Sequence, residues 1–212
     1  MECYEAEVRE LEKNRARQPY PQCPAVFYGS SSIRLWSSLA ADLQSPRAVN
    51  LGFGGSTLAA CVHFFERLVP PAAPASLIVY AGDNDLGDGR NTEEVIASFR
   101  ALSAKVSEHC DGIPFGFISI KLSPARFHLR AAIDTLNEAV RTDIETRPNG
   151  FFIDVASPML VGGRPRQQLY LDDGLHLSRA GYDVWAAVLR SYSNRIFIKD
   201  CSDTNRRASI LR

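Results

Sequence analysis

Five short strand-like runs, each followed by a glycine or polar cluster and then by a stretch of helical period, constrain this chain more than any other feature. The runs are Ala25–Tyr28, Arg47–Asn50, Ser76–Tyr80, Ile113–Ile120 and Gly150–Val155. Between them lie stripes such as Leu58, Cys61, Val62, Phe65, Leu68 and Val69, or Ile133, Leu136, Val140 and Ile144, spaced as one face of a helix. Parallel strands joined through helices cross over right-handed and leave helices on both faces of the sheet. The expected fold is therefore α/β, a three-layer α/β/α sandwich with a central five-stranded parallel sheet, its function gathered at the carboxyl ends of the strands.

Further helices are expected over 4–15, Ile33–Leu43, Thr57–Val69, Thr92–His109 and Ser178–Tyr192. The segment Pro158–Leu171, which holds Gly162, Gly163 and Pro165, is the one connection long enough to act as a flap. At 212 residues the chain needs only one domain, expected over 1–198 with 1–18 as a helix packed on it; the polar, unpatterned tail 199–212 is expected to be disordered. Lys plus Arg number 24 against 24 Asp plus Glu, which removes any general pull toward nucleic acid or anionic lipid. The N-terminus is charged and no run approaches a membrane span, so a cytoplasmic setting and a small-molecule partner are expected; the oligomeric state stays open, a homodimer included. The five cysteines are odd in number, widely spaced and never C-x-x-C, which argues against a disulfide framework and against zinc. Cys61, on an apolar stripe, is expected in the core.

Four polar clusters follow different strands and would converge on one sheet edge. Gly29 ends the first strand, and the serines Ser30, Ser31 and Ser32 after it offer hydroxyls for nucleophilic attack or for capping a helix. Gly52-Phe53-Gly54-Gly55 lacks the third glycine of a dinucleotide loop, but Gly55 would let a backbone N–H approach a ligand closely. Gly82-Asp83-Asn84-Asp85 offers an amide N–H at Asn84 to a developing oxyanion. In Asp173-Gly174-Leu175-His176 the carboxylate stands three residues before the imidazole, close enough in a turn to reach Nδ1 and leave Nε2 as a base. No metal ligand set accompanies these groups, since His63, His109 and His128 fall in helical or non-edge segments.

These blocks resemble the SGNH or GDSL hydrolases. Gly29-Ser30-Ser31 stands for the GDS block, Asn50–Gly55 for the glycine block, Gly82–Asp85 for G-x-N-D and Asp173–His176 for D-x-x-H, and the likeness spans roughly residues 4–193. The SSSIRLW and SPAR stretches look like a bacterial branch of that family. The resemblance implies a flavodoxin-like sheet and a serine esterase acting on short-chain esters without a cofactor. Ser31 would be the nucleophile, His176 its base and Asp173 the orienter, with the Ser31 N–H, Gly55 N–H and Asn84 side chain forming the oxyanion hole. Ser30, Asp85 and Arg126 are the candidate substrate contacts, and Ser30 replaces the family's usual Asp beside the nucleophile. A carbohydrate acetylesterase, an acyltransferase or thioesterase, and a non-catalytic relative remain as alternatives.

Overall fold

A computed structural model describes residues 1–198; the tail expected to be disordered lies outside the described residues. The chain opens with helix α1 (Glu2–Arg17), then strand β1 (Ala25–Gly29), the single turns α2 (Ser31–Arg34) and α3 (Leu39–Asp42), and β2 (Ala48–Gly52). Next come α4 (Leu58–Leu68), β3 (Ser76–Tyr80), the short α5 (Asp83–Gly87), α6 (Thr92–His109) and β4 (Phe115–Ile118). A 3₁₀ turn over Pro124–Leu129 leads to α7 (Arg130–Glu145) and β5 (Gly150–Ile153). A small hairpin of β6 (Leu160–Val161) and β7 (Arg164–Pro165) precedes α8 (Arg179–Ser191) and α9 (Ser193–Ile196).

The five long strands form one parallel sheet in the order β2-β1-β3-β4-β5. Every residue of β1, β3, β4 and β5 is buried, as expected of strands covered on both faces. Period-two alternation divides them between two cores. Val26, Tyr28, Leu77, Val79, Phe115 and Phe117 face α4, α6 and α7, while Phe27, Ile78, Tyr80, Ile118 and Ile153 face α8 and the turns after β1. The second core is built on aromatic rings: Trp36 stacks on Tyr182 and meets Trp185 edge-on, and Trp185 meets Tyr80. Since β1 pairs with β2 on one side and β3 on the other, the strand order reverses there, the point at which open parallel sheets gather ligands at the carboxyl ends of their strands.

The expected Ile33–Leu43 helix is two turns instead. Asn50 Nδ2 donates to Ile33 O at 2.6 Å and Trp36 O at 3.4 Å, carbonyls that a continuous helix would use, while Trp36 Nε1–H and the Ser38 hydroxyl tie the two turns together through Asp42 Oδ2 at 2.7 Å each. The fourth strand stops early at both ends: Pro114 has no N–H to give, and Ile120 pairs through its N–H and carbonyl with the Asn137 side chain. The expected flap is an ordered hairpin, with Gly162 and Gly163 both at positive φ (57° and 73°) and Gly163 O accepting from Arg130 Nη1 at 2.8 Å.

Cys61 is fully buried in the core. Cys23, contrary to expectation, is disulfide-bonded, whereas Cys3, Cys61 and Cys110 are free. A single cross-link leaves no recurrent spacing to read. Among the described residues, no helix is long and apolar enough to cross a membrane.

Candidate active site

The first strand ends where a side chain cannot fit. Gly29 has φ +134°, and a Cβ there would stand 2.0 Å from Tyr80 O on the neighbouring strand. The turn is locked by Ser30 N–H donating to that same carbonyl at 2.9 Å, after which α2 starts at once with Ser31. Asn50 on β2 secures this turn from below, its Nδ2 donating to Ile33 O at 2.6 Å.

Residues from the far end of the chain complete the arrangement. His176 Nε2 lies 3.1 Å from Ser31 Oγ, and His176 Nδ1 lies 2.6 Å from Asp173 Oδ2. The other carboxylate oxygen, Oδ1, accepts the backbone N–H groups of Leu175 (2.8 Å) and His176 (2.9 Å). Gly174, at φ +62°, turns the loop, and its carbonyl accepts Ala125 N–H at 3.0 Å. The imidazole beside it, helped by the Leu175 N–H, holds the Asp173 carboxyl down to about 2. An ionised Asp173 receives Nδ1–H, so Nε2 carries the lone pair that faces the Ser31 hydroxyl.

The glycine cluster and the third strand's cluster flank this line. Gly55 sits at φ +67° with open space where its side chain would be, Gly54 N–H donates to Glu7 Oε2 at 2.8 Å, and Tyr4 OH donates to Gly55 O at 3.2 Å. Gly82, at φ +118°, starts α5 directly after β3 and puts Asn84 in its first turn. Asn84 Nδ2 donates to Ser56 O at 3.1 Å, and Asn84 Oδ1 accepts from Arg126 Nη2 at 3.0 Å.

Of the three residues expected at the substrate, Asp85 and Arg126 are engaged within the protein. Ser30 is buried, with its hydroxyl lacking a protein partner. Asp85 is fully buried and both its oxygens accept Leu58 N–H, at 3.1 and 2.8 Å, capping the start of α4. Arg126 turns inward, its Nη1 3.3 Å from Asp83 Oδ2 as an ion pair without hydrogen-bond alignment.

Sequence reasoning also missed a buried charge cluster. Lys121, just past β4 and only 2% exposed, donates to Tyr80 OH at 3.0 Å, Asp83 Oδ2 at 3.2 Å and Ser32 Oγ at 3.4 Å. Burial alone would raise the Asp83 carboxyl, but the Lys121 ammonium and Arg126 guanidinium outweigh it and hold that carboxyl below its ordinary range. The available signal was a lysine set among apolar residues, Ile120 and Leu122, at a strand's end. Among the described residues, no group of three or more His, Cys, Asp or Glu side chains is placed to hold a metal ion.

The model of the GDSL-like Lipase/Acylhydrolase family matches residues 25–184, from the start of β1 into α8. The chain belongs to this family. Membership carries hydrolase chemistry with it and accounts for the sheet order. Platelet-activating factor acetylhydrolase IB subunit alpha1 of Bos taurus is 29% identical over 191 residues, covering 82% of this chain and 77% of the relative. Among solved structures, a GDSL-like lipase of Bacteroides thetaiotaomicron superposes with a TM-score of 0.74 at 21% identity, over 88% of this chain and 97% of that one. The acetylxylan esterase Axe2 of Geobacillus stearothermophilus superposes with a TM-score of 0.63 at 18% identity, over 82% and 94% of the two chains. At such identities, the two superpositions establish a shared SGNH hydrolase fold.

Proposed function

We propose that this GDSL-family chain is a serine esterase that hydrolyses short-chain carboxylic esters through an acyl-enzyme on Ser31. The observation that carries the reading is the unbroken contact line from Asp173 through His176 to Ser31. Ser31 Oγ attacks the ester carbonyl as its proton passes to His176 Nε2. The tetrahedral oxyanion takes hydrogen bonds from the Ser31 and Gly55 N–H groups and from the Asn84 amide. His176 gives its proton to the leaving alcohol, then deprotonates a water that attacks the acyl carbonyl; the acid departs and Ser31 recovers its proton.

Two observations favour a short acyl group. The hairpin nearest in sequence to the Asp173–His176 loop carries Arg164 and Arg166, a poor lining for a fatty chain. In addition, two of the similar proteins are named for removing acetyl groups, one from platelet-activating factor and one from xylan. The acetylxylan esterase likeness makes an acetylated sugar a specific second reading.

Fluorophosphonate labelling followed by peptide mass spectrometry should place the adduct on Ser31, and Ser31→Ala should lose both adduct and turnover. An unlabelled but folded protein would instead indicate a non-catalytic relative. Across p-nitrophenyl esters, kcat/KM should peak between acetyl and butyryl. A rise continuing past about eight carbons, by the roughly 0.8 kcal/mol per methylene of an apolar tunnel, would refute the short-chain assignment.

A further inference from the structure

We infer that Arg126 is the positioning residue of the oxyanion amide: it fixes which end of the Asn84 carboxamide faces the substrate and strengthens that end as a donor. The inference rests on the serine-esterase reading, in which Asn84 Nδ2 serves the oxyanion.

A carboxamide has nearly the same shape when turned end for end, yet only its nitrogen end stabilises negative charge. Turned the other way, it would aim a carbonyl dipole at the oxyanion. The two contacts of Asn84 decide the matter. Arg126 Nη2 donates to Oδ1 at 3.0 Å, and a guanidinium has no acceptor with which to tolerate a flipped NH₂ group. Nδ2 spends one hydrogen on Ser56 O at 3.1 Å and keeps the second for the substrate. A cation drawing on the carbonyl oxygen also polarises the amide toward its nitrogen end, so the remaining N–H becomes a stronger donor.

The guanidinium is held for this task from three sides. Asp83 Oδ2 pairs with Nη1 at 3.3 Å, and Asp83 is itself fixed by Lys121 at 3.2 Å and the Tyr80 hydroxyl at 3.3 Å. Gly87 at the end of α5 leaves the room: a Cβ there would come within 2.7 Å of Arg126 Nε and 2.8 Å of Cζ and Nη2. Since Gly87 does not have positive φ, space and not backbone freedom is what glycine supplies. Two cations, Lys121 and Arg126, share the Asp83 carboxylate beside Asn84.

The test is a double-mutant cycle of Arg126→Gln and Asn84→Ala, with kcat and KM measured separately on p-nitrophenyl acetate. Arg126→Gln alone should lower kcat about tenfold with KM nearly constant. In the Asn84→Ala background it should have almost no further effect, because the group it positions is gone. Gly87→Ala, which keeps every charge and suits a helical position, should lower kcat several-fold by displacing the guanidinium, and it preserves the test if Arg126→Gln does not fold. A raised KM with unchanged kcat would make Arg126 a substrate contact, and independent, multiplicative losses would detach it from Asn84; either result overturns the inference while leaving the esterase reading intact. An Asn84→Ala enzyme of full activity would overturn the oxyanion reading and this inference with it.

Discussion

Asp173 uses its two oxygens for different work, Oδ1 for the Leu175 and His176 N–H groups and Oδ2 for the imidazole. Asp173→Asn separates the tasks. The amide oxygen can still accept the backbone N–H groups, so the loop should keep its shape, but an NH₂ group facing Nδ1 forces the proton onto Nε2. His176 would then offer Ser31 a donor where it needs an acceptor. The expected result is a loss in kcat of about 10³ to 10⁴, at an unchanged melting temperature and circular dichroism spectrum. A loss below about tenfold would mean that the tautomer is not what Asp173 controls. This motif was open to sequence reading because its members sit within one turn. The cluster Gly82–Asp85 was less legible: Asp83 pairs with Lys121, Asn84 with Ser56 and Arg126, and Asp85 with Leu58 N–H. Successive helical residues point about 100° apart, so neighbours in sequence meet unrelated surroundings.

Helix α1 reaches the site through its side chains. Glu7 accepts Gly54 N–H and Tyr4 OH donates to Gly55 O, so the turn that presents Gly55 is held from outside the sheet. Arg67 on α4 ties the same helix down through Glu5 and Glu12, each at 2.8 Å. The double variant Tyr4→Phe/Glu7→Gln should therefore lower kcat about five- to thirtyfold, the worth of two net hydrogen bonds of roughly 0.5–1 kcal/mol each. KM should hardly move; an unchanged kcat would show that the turn keeps its own shape. The α1 stripe of Tyr4, Val8 and Leu11 was readable as helix, but no periodicity announces that two of its side chains serve a loop some 50 residues on. The two turns after β1 were misread as one helix for a related reason, since Asn50 on the neighbouring strand takes the Ile33 and Trp36 carbonyls that a continuous helix would use.

Across the whole molecule, the parallel sheet was the most legible feature, because strands buried on both faces need near-continuous apolar runs and those survive any error in their boundaries. The acid behaviour depends on a link that only the folded chain creates. Asp42 accepts from Arg179 at the start of α8, as well as from Trp36 and Ser38, and these bonds bring its carboxyl down to about 2 from 3.8. A depressed folded value means that the stabilisation is complete above about pH 4 and is lost as pH falls through 2. After screening at the exposed Arg179, it is worth about 1–2 kcal/mol, or roughly 5 °C. Asp42→Asn should lower the melting temperature by that amount at pH 7 and flatten its fall between pH 4 and 2; an acid limb as steep as the parent's would locate the acid sensitivity elsewhere. The link also has a temporal side. Ser31 and His176 stand 145 positions apart, so during synthesis the proposed nucleophile leaves the ribosome long before its proposed base. On the proposed mechanism, until α8 closes over Trp36 and carries the histidine loop into place the nascent polypeptide has an ordinary alcohol at Ser31, and hydrolytic power would arrive in a single late step.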